Sequence, residues 1–184
     1  MKNKKTVYVD DDYESIKTIF LLRAPSLMVG LFLGIAISFI ISNFEKVLAA
    51  NVHVAFFIPF IVYISAAIGS QTGSIYARDL KSGHAKFYTY LHKEFLLGII
   101  FGVLFGIFSG LIVLWWLQDI PLALSITLST FIAISTAPVI ALLVTQSFQS
   151  NHKDPAASSG PIATVIQDMI SVIIYGIVTS LIML

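Results

Sequence analysis

Five stretches of this chain are apolar for long enough to cross a lipid bilayer: Leu21–Ser42, Ala55–Tyr76, Phe95–Leu117, Pro121–Phe148 and Ile162–Leu184. About 20 mostly apolar residues cover the roughly 30 Å of hydrocarbon in a membrane. Lipid offers backbone N–H and C=O groups no hydrogen-bond partner, so a spanning segment must be a helix or a strand of a closed barrel. The alternating pattern of barrel strands is absent here. The expectation is an all-α membrane protein with five transmembrane helices. Composition agrees, with 57% of the residues hydrophobic and 11% charged, where a soluble domain carries about 25% charged residues.

Residues 1–20 read as a cytoplasmic tail and 21–184 as one transmembrane unit. Lys2, Lys4 and Lys5 are followed by Asp10, Asp11, Asp12 and Glu14, not by the apolar core of a secretory signal. The acidic run is either a solvated tail or a weak cation sensor. Lysine and arginine near span ends set orientation. The tail and first span hold Lys2, Lys4, Lys5, Lys17 and Arg23, and the later connections on the same side hold Arg78, Lys81, Lys86, Lys93 and Lys153. Only Lys46 falls on the other side. The N-terminus is therefore expected in the cytoplasm and the C-terminus outside, with Trp115 and Trp116 at the outer interface.

A net charge of +1 gives no basic surface for nucleic acid, and the absence of cysteine removes disulfides and thiolate metal sites. No nucleophile with its base, phosphate-binding glycine loop or Walker motif is present, so an enzyme is not expected. Three spans carry small residues every fourth position: Ser26, Gly30, Gly34, Ser38 and Ser42; Gly98, Gly102, Gly106 and Gly110; Ser125, Ser129, Ala133, Ala137 and Ala141. Such faces predict close helix packing. Pro25, Pro59 and Pro138 should shape the bundle, and the segment from Asn151 to Gly160 reads as a cytoplasmic loop.

Asp168 is the one acidic residue placed well inside an apolar window, seven residues past Pro161 and so roughly 10 Å along the fifth span. An embedded ionisable group is costly and marks an ion path or proton relay; the alternative is a protonated acid packed on a hydroxyl. Pro161, Thr164, Asp168, Ser171 and Tyr175 share one helical face, as a pore wall would. On the second span Ala67, Gln71, Ser74 and Arg78 form a matching stripe, where Gln71 either bonds across helices or lines a path. One carboxylate is thin for a dication. A homodimer with its twofold axis along the membrane normal would pair two Asp168 side chains. Oxygen donors suit Mg²⁺, Mn²⁺ or Ca²⁺, and Mg²⁺ is held through one or two carboxylates with its waters kept. His53, His84, His92 and His152 fall in connections or at span ends and read as interface residues.

These residues resemble the membrane domain of the MgtE family of magnesium channels and transporters, from Arg23 onward. The most specific segment is Ser159-Gly160-Pro161-Ile162-Ala163-Thr164-Val165-Ile166-Gln167-Asp168, preceded by Asp154-Pro155; Phe57-Ile58-Pro59, Gly69-Ser70-Gln71, Arg78 and Lys93-Glu94 also match. The resemblance implies a homodimeric pore in the cell membrane for Mg²⁺ or another divalent cation. It places Asp168 at the metal with backbone oxygens at Thr164 and Gly160, and lines the path with Ala67, Gln71, Ser74, Pro161 and Ser171. Two positions depart from the pattern: Ala67 and Gly160 stand where asparagine is common. The short tail leaves no room for the paired CBS sensor of many members, which implies regulation by a separate subunit or none. A Na⁺- or H⁺-coupled exchanger and a non-transporting assembly subunit remain the alternative readings.

Overall fold

The computed structural model describes residues 12–152 and 154–184, apart from the side chains of 155–158. Lys2, Lys4, Lys5, Asp10, Asp11 and Lys153 lie outside the described residues. The order is α1 (Ile16–Ser42), α2 (Glu45–Ala50), α3 (His53–Lys81), α4 (Phe87–Leu117), α5 (Ile120–Ser150) and α6 (Pro155–Met183), with no strand among the described residues. Five of these helices, all but α2, are long and apolar enough to cross a membrane. The chain is thus a multi-pass membrane protein.

The helices outrun the apolar windows. α4 and α5 have 31 residues each, roughly 46 Å at 1.5 Å per residue, against about 30 Å of hydrocarbon. Their polar ends therefore project beyond the lipid. α4 starts at Phe87, so Glu94 lies two turns inside the helix, where its Oε2 accepts a 2.7 Å bond from Thr72 Oγ1. The segment read as a loop is largely helical: α6 begins at Pro155, and only residues 151–154 join it to α5. Proline is tolerated in a first turn because its missing N–H would have no partner there. The earlier start moves Asp168 to the fourteenth residue of α6, roughly 20 Å from its beginning rather than 10 Å.

α5 is the central helix, packed against α3, α4 and α6, while α1 rests on α6 alone among its larger contacts. Two small-residue faces explain that place. Ser125, Ser129, Ala133, Ala137 and Ala141 are all buried along one side of α5. On another side α4 presents Gly98, Gly102, Gly106 and Gly110, also buried. A Cβ at Gly102 would stand 2.7 Å from the Phe131 carbonyl oxygen, and at Gly106 2.8 Å from that of Thr127. Only hydrogen fits at such a crossing, which is how helices associate where lipid supplies no hydrophobic drive. The stripe on α1 behaves differently. Ser26 is buried, but a Cβ at Gly34 would meet nothing within 4 Å, and Ser38 and Ser42 are exposed. Gly102→Ala is therefore expected to lower stability by about 1–3 kcal/mol, the usual cost of overpacking, whereas Gly34→Ala should be neutral; thermal unfolding in detergent compares the two.

Both ends of the bundle are tied. At one, Asn51 Nδ2 donates to Asp119 Oδ2 at 2.8 Å while Asp119 Oδ1 accepts from the Leu122 N–H and caps α5. Gln118, with φ 53°, makes the tight turn between α4 and α5. The short α2 buries Val47, and the Phe44 ring before it lies on Gly176 of α6. At the other end Asp79 takes Arg78 Nε at 2.9 Å and the Tyr90 hydroxyl, and the Tyr76 hydroxyl donates to Gln146 Oε1.

Candidate functional site

α3, α5 and α6 line a cavity of about 420 Å³ that is open past the exposed Ser70, Ser74 and Gly160. The sequence leaves it open by placing small residues on all three walls. α3 contributes Gly69, Ser70, Gly73 and Ser74; α5 contributes Ala137, Ala141 and Thr145; α6 contributes Ser159, Gly160, Ala163 and Thr164. Nothing lies within 4 Å of where a Gly160 Cβ would be. Arg78 and Lys81, at the end of α3, and Asp154, before α6, line the same cavity, which therefore runs from one end of the bundle inward. Thr145 Oγ1 donates to Ser159 Oγ at 3.4 Å across it.

Of the residues singled out in the sequence, Ser74, Gly160 and Thr164 meet in this cavity. Asp168 does not line it. It is partly buried on α6, and its Oδ1 is shut from water with no hydrogen-bond partner among the described residues. Ala67 and Gln71 are exposed on the outer side of α3, in line with Ser74, Arg78 and Tyr63, the last 71% exposed. Pro161 is partly buried within α6. Ser171 is fully buried: its Oγ lies 2.7 Å from Ser65 Oγ and donates to the Gln167 carbonyl at 2.8 Å. Tyr175, on the same stripe, is also interior and donates to the Val54 carbonyl at 2.8 Å. The stripe is thus split, with its second half serving the bundle. Ser171→Ala is expected to cost about 1 kcal/mol of stability, the net worth of a buried hydrogen bond, visible as a lower unfolding midpoint in detergent.

Gln167 was not legible as a site residue. It is 2% exposed and lines the inner part of the cavity. Its Nε2 donates to the Ala133 carbonyl and to Ser171 Oγ, both at 3.2 Å. A carbonyl only accepts, so the amide must present its NH₂ there. That fixes Oε1 as the atom turned elsewhere, and Oε1 has no donor among the described residues. A buried acceptor left unpaired costs about 1–3 kcal/mol. The only signal in the sequence was the Gln167–Ser171 spacing of four within an apolar span. Neighbouring residues of α6 thus carry two unpartnered oxygens, Gln167 Oε1 and Asp168 Oδ1. Among the described residues no group of three or more His, Cys, Asp or Glu side chains could hold a metal ion.

Residues 58–178 match the MgtE family, described as divalent cation transporters. The magnesium transporter MgtE of Enterococcus faecalis is 30% identical over 164 residues, covering 88% of this chain and 36% of that protein. The magnesium transporter MgtE of Bacillus subtilis is 27% identical over 164 residues, covering 87% and 36%. The chain spans about a third of the length of these curated relatives.

Proposed function

The chain belongs to the MgtE family of divalent cation transporters, and we propose that it passes Mg²⁺ across the membrane along a path between two copies, with paired Asp168 at its centre. The observation that carries this reading is Asp168 itself, a carboxylate deep in an apolar helix whose Oδ1 has no protein donor among the described residues. Placing such a group in lipid costs about 2.5–3.5 kcal/mol on insertion scales. A fold keeps it where a cation repays the cost. Two copies supply two negative charges for one dication, and a twofold interface presents the same residue from each side.

Exposure on α3 supports the same surface. Gln71 is the nineteenth of 29 residues in α3 and is exposed outside the bundle. A carboxamide there is poorly placed against acyl chains, whereas a hydrated path between protomers satisfies it. Ala67, Ser74 and the α6 positions Gly160, Pro161 and Thr164 then form the wall. Small and hydroxyl-bearing residues leave room for a cation that keeps most of its water, as Mg²⁺ does. The lysine and arginine bias orients the α3–α4 and α5–α6 connections toward the cytoplasm.

Purified protein in liposomes tests the reading. Mg²⁺ is expected to enter down its own gradient with no Na⁺ or H⁺ gradient imposed, and Mn²⁺, Co²⁺ and Ca²⁺ run in parallel rank the ions. Flux that requires a sodium or proton gradient would show a coupled exchanger, and no flux of any cation would show an assembly subunit.

A further inference from the structure

We propose that the outer face of α4 holds an anionic membrane phospholipid, its phosphate between Lys86 and Lys93 and one acyl chain in the groove that follows them. The site is separate from the transport path and does not depend on it. The groove measures about 490 Å³ and is lined by α4 alone, from Ile99 to Leu111. Ile100, Leu104, Ile107 and Leu111 run along it at steps of three and four residues, each 53–60% exposed. Two and four turns before Ile100, the same helical face carries Lys93 and Lys86. Both lysines are exposed, and neither forms an ion pair among the described residues. Glu94, the one acid of α4, is turned away onto Thr72.

Length, size and charge together choose the ligand. Ile99 to Leu111 spans roughly 18 Å at 1.5 Å per residue, against about 15 Å for one leaflet, half of the hydrocarbon. A groove of that length takes a single acyl chain, and it begins on the side where the lysines stand. Helical side chains lean toward the N-terminus, so Lys93 reaches toward Lys86 and a phosphate fits between them. Lysine stems lie along apolar surface while their ammonium groups stay at headgroup depth. The groove residues also argue against a protein helix as the occupant. Helices in lipid meet over small residues, as the glycines of α4 do on α5. The groove has none, only branched aliphatic side chains and Phe108, which suit a flexible hydrocarbon chain. A zwitterionic lipid brings its own cation to the phosphate and leaves the lysines little to neutralise. An anionic one does not, and this face selects it.

Fluorescence quenching by brominated lipid tests the site. Trp115 and Trp116 are replaced by phenylalanine, and Leu104→Trp then supplies a single reporter in the groove. Phe32→Trp, at a position 64% exposed on α1, is the control in the same background. The protein is reconstituted in phosphatidylcholine containing either dibrominated phosphatidylglycerol or dibrominated phosphatidylcholine. At Leu104→Trp the anionic lipid is expected to bind at least threefold more strongly than the zwitterionic one, given roughly fivefold per lysine at an anionic surface. Lys86→Gln with Lys93→Gln should at least halve that preference, and Phe32→Trp should show a smaller one. Less than threefold preference at Leu104→Trp overturns the site. So does a preference that the two glutamines fail to halve, or that Phe32→Trp matches. A reporter that neither lipid quenches also overturns it, and would mean that a second copy of the chain covers this face. Should Leu104→Trp not fold, Ile107→Trp on the same stripe replaces it with the same outcomes. No flux is measured, so the result stands apart from the fate of Asp168.

Discussion

Asp168→Asn is expected to reduce Mg²⁺ flux in proteoliposomes at least 100-fold while leaving the folded protein intact. The substitution keeps shape and size and removes one charge per protomer, hence two per proposed path. Hydrogen bonds to charged groups are worth about 1.5–3 kcal/mol each, so two carboxylates account for about 3–6 kcal/mol. At 1.4 kcal/mol per factor of ten, that is a loss of roughly two to four orders of magnitude in occupancy of the central site. Stability should move the other way or not at all. The carboxylate pays a penalty for its place in α6 that a neutral amide largely avoids, and Oδ1 has no protein donor to lose among the described residues. An unfolding midpoint at or above that of wild type, beside a vanished flux, separates chemistry from folding. Wild-type flux in the variant would remove Asp168 from the path.

The spans were legible because membrane thickness imposes a length that few other constraints match. Their ends were not, since a helix does not stop where its apolar run stops. Phe87–Glu94 holds two tyrosines, a histidine, a lysine and a glutamate, yet continues α4 into the polar zone. The sequence Asp154-Pro155-Ala156-Ala157-Ser158-Ser159-Gly160 carries every sign of a loop, and α6 nonetheless starts at its proline. Short α2, of six residues, is below the length at which periodicity speaks. Small-residue stripes show which face is smooth but not what lies against it. The glycines of α4 meet α5, while α1 leaves Gly34 open. Asp168 stood out because a charge in an apolar window is rare. Gln167 did not, because its meaning depends on Ala133, 34 residues away in sequence, and on a cavity that exists only once three helices assemble.

Cross-linking through Asp168→Cys is expected to join most of the protein into covalent dimers, and the reach of the reagent that succeeds reports how the ion is held. The cysteine-free chain makes every thiol-linked dimer attributable to that position. Two carboxylates that each bind Mg²⁺ directly, at about 2.0–2.1 Å, would stand roughly 4 Å apart across the ion. Two that hold it through its waters add about 2.7 Å of hydrogen bond on each side and stand roughly 10 Å apart. A disulfide needs its two sulfurs to close to about 2.05 Å, which side-chain ends about 4 Å apart can reach with a small shift and ends about 10 Å apart cannot. Because Mg²⁺ keeps its water, the larger spacing is expected: simple oxidation should give little dimer, while a bifunctional thiol reagent of about 10 Å reach should convert the majority. Leu104→Cys, 58% exposed on the far side of α4, should give only collisional background with either. Ready disulfide formation would mean direct coordination in a narrow site. No dimer with any reagent would mean that the two acids never face each other, and a lone carboxylate in oil would then have no cation to hold.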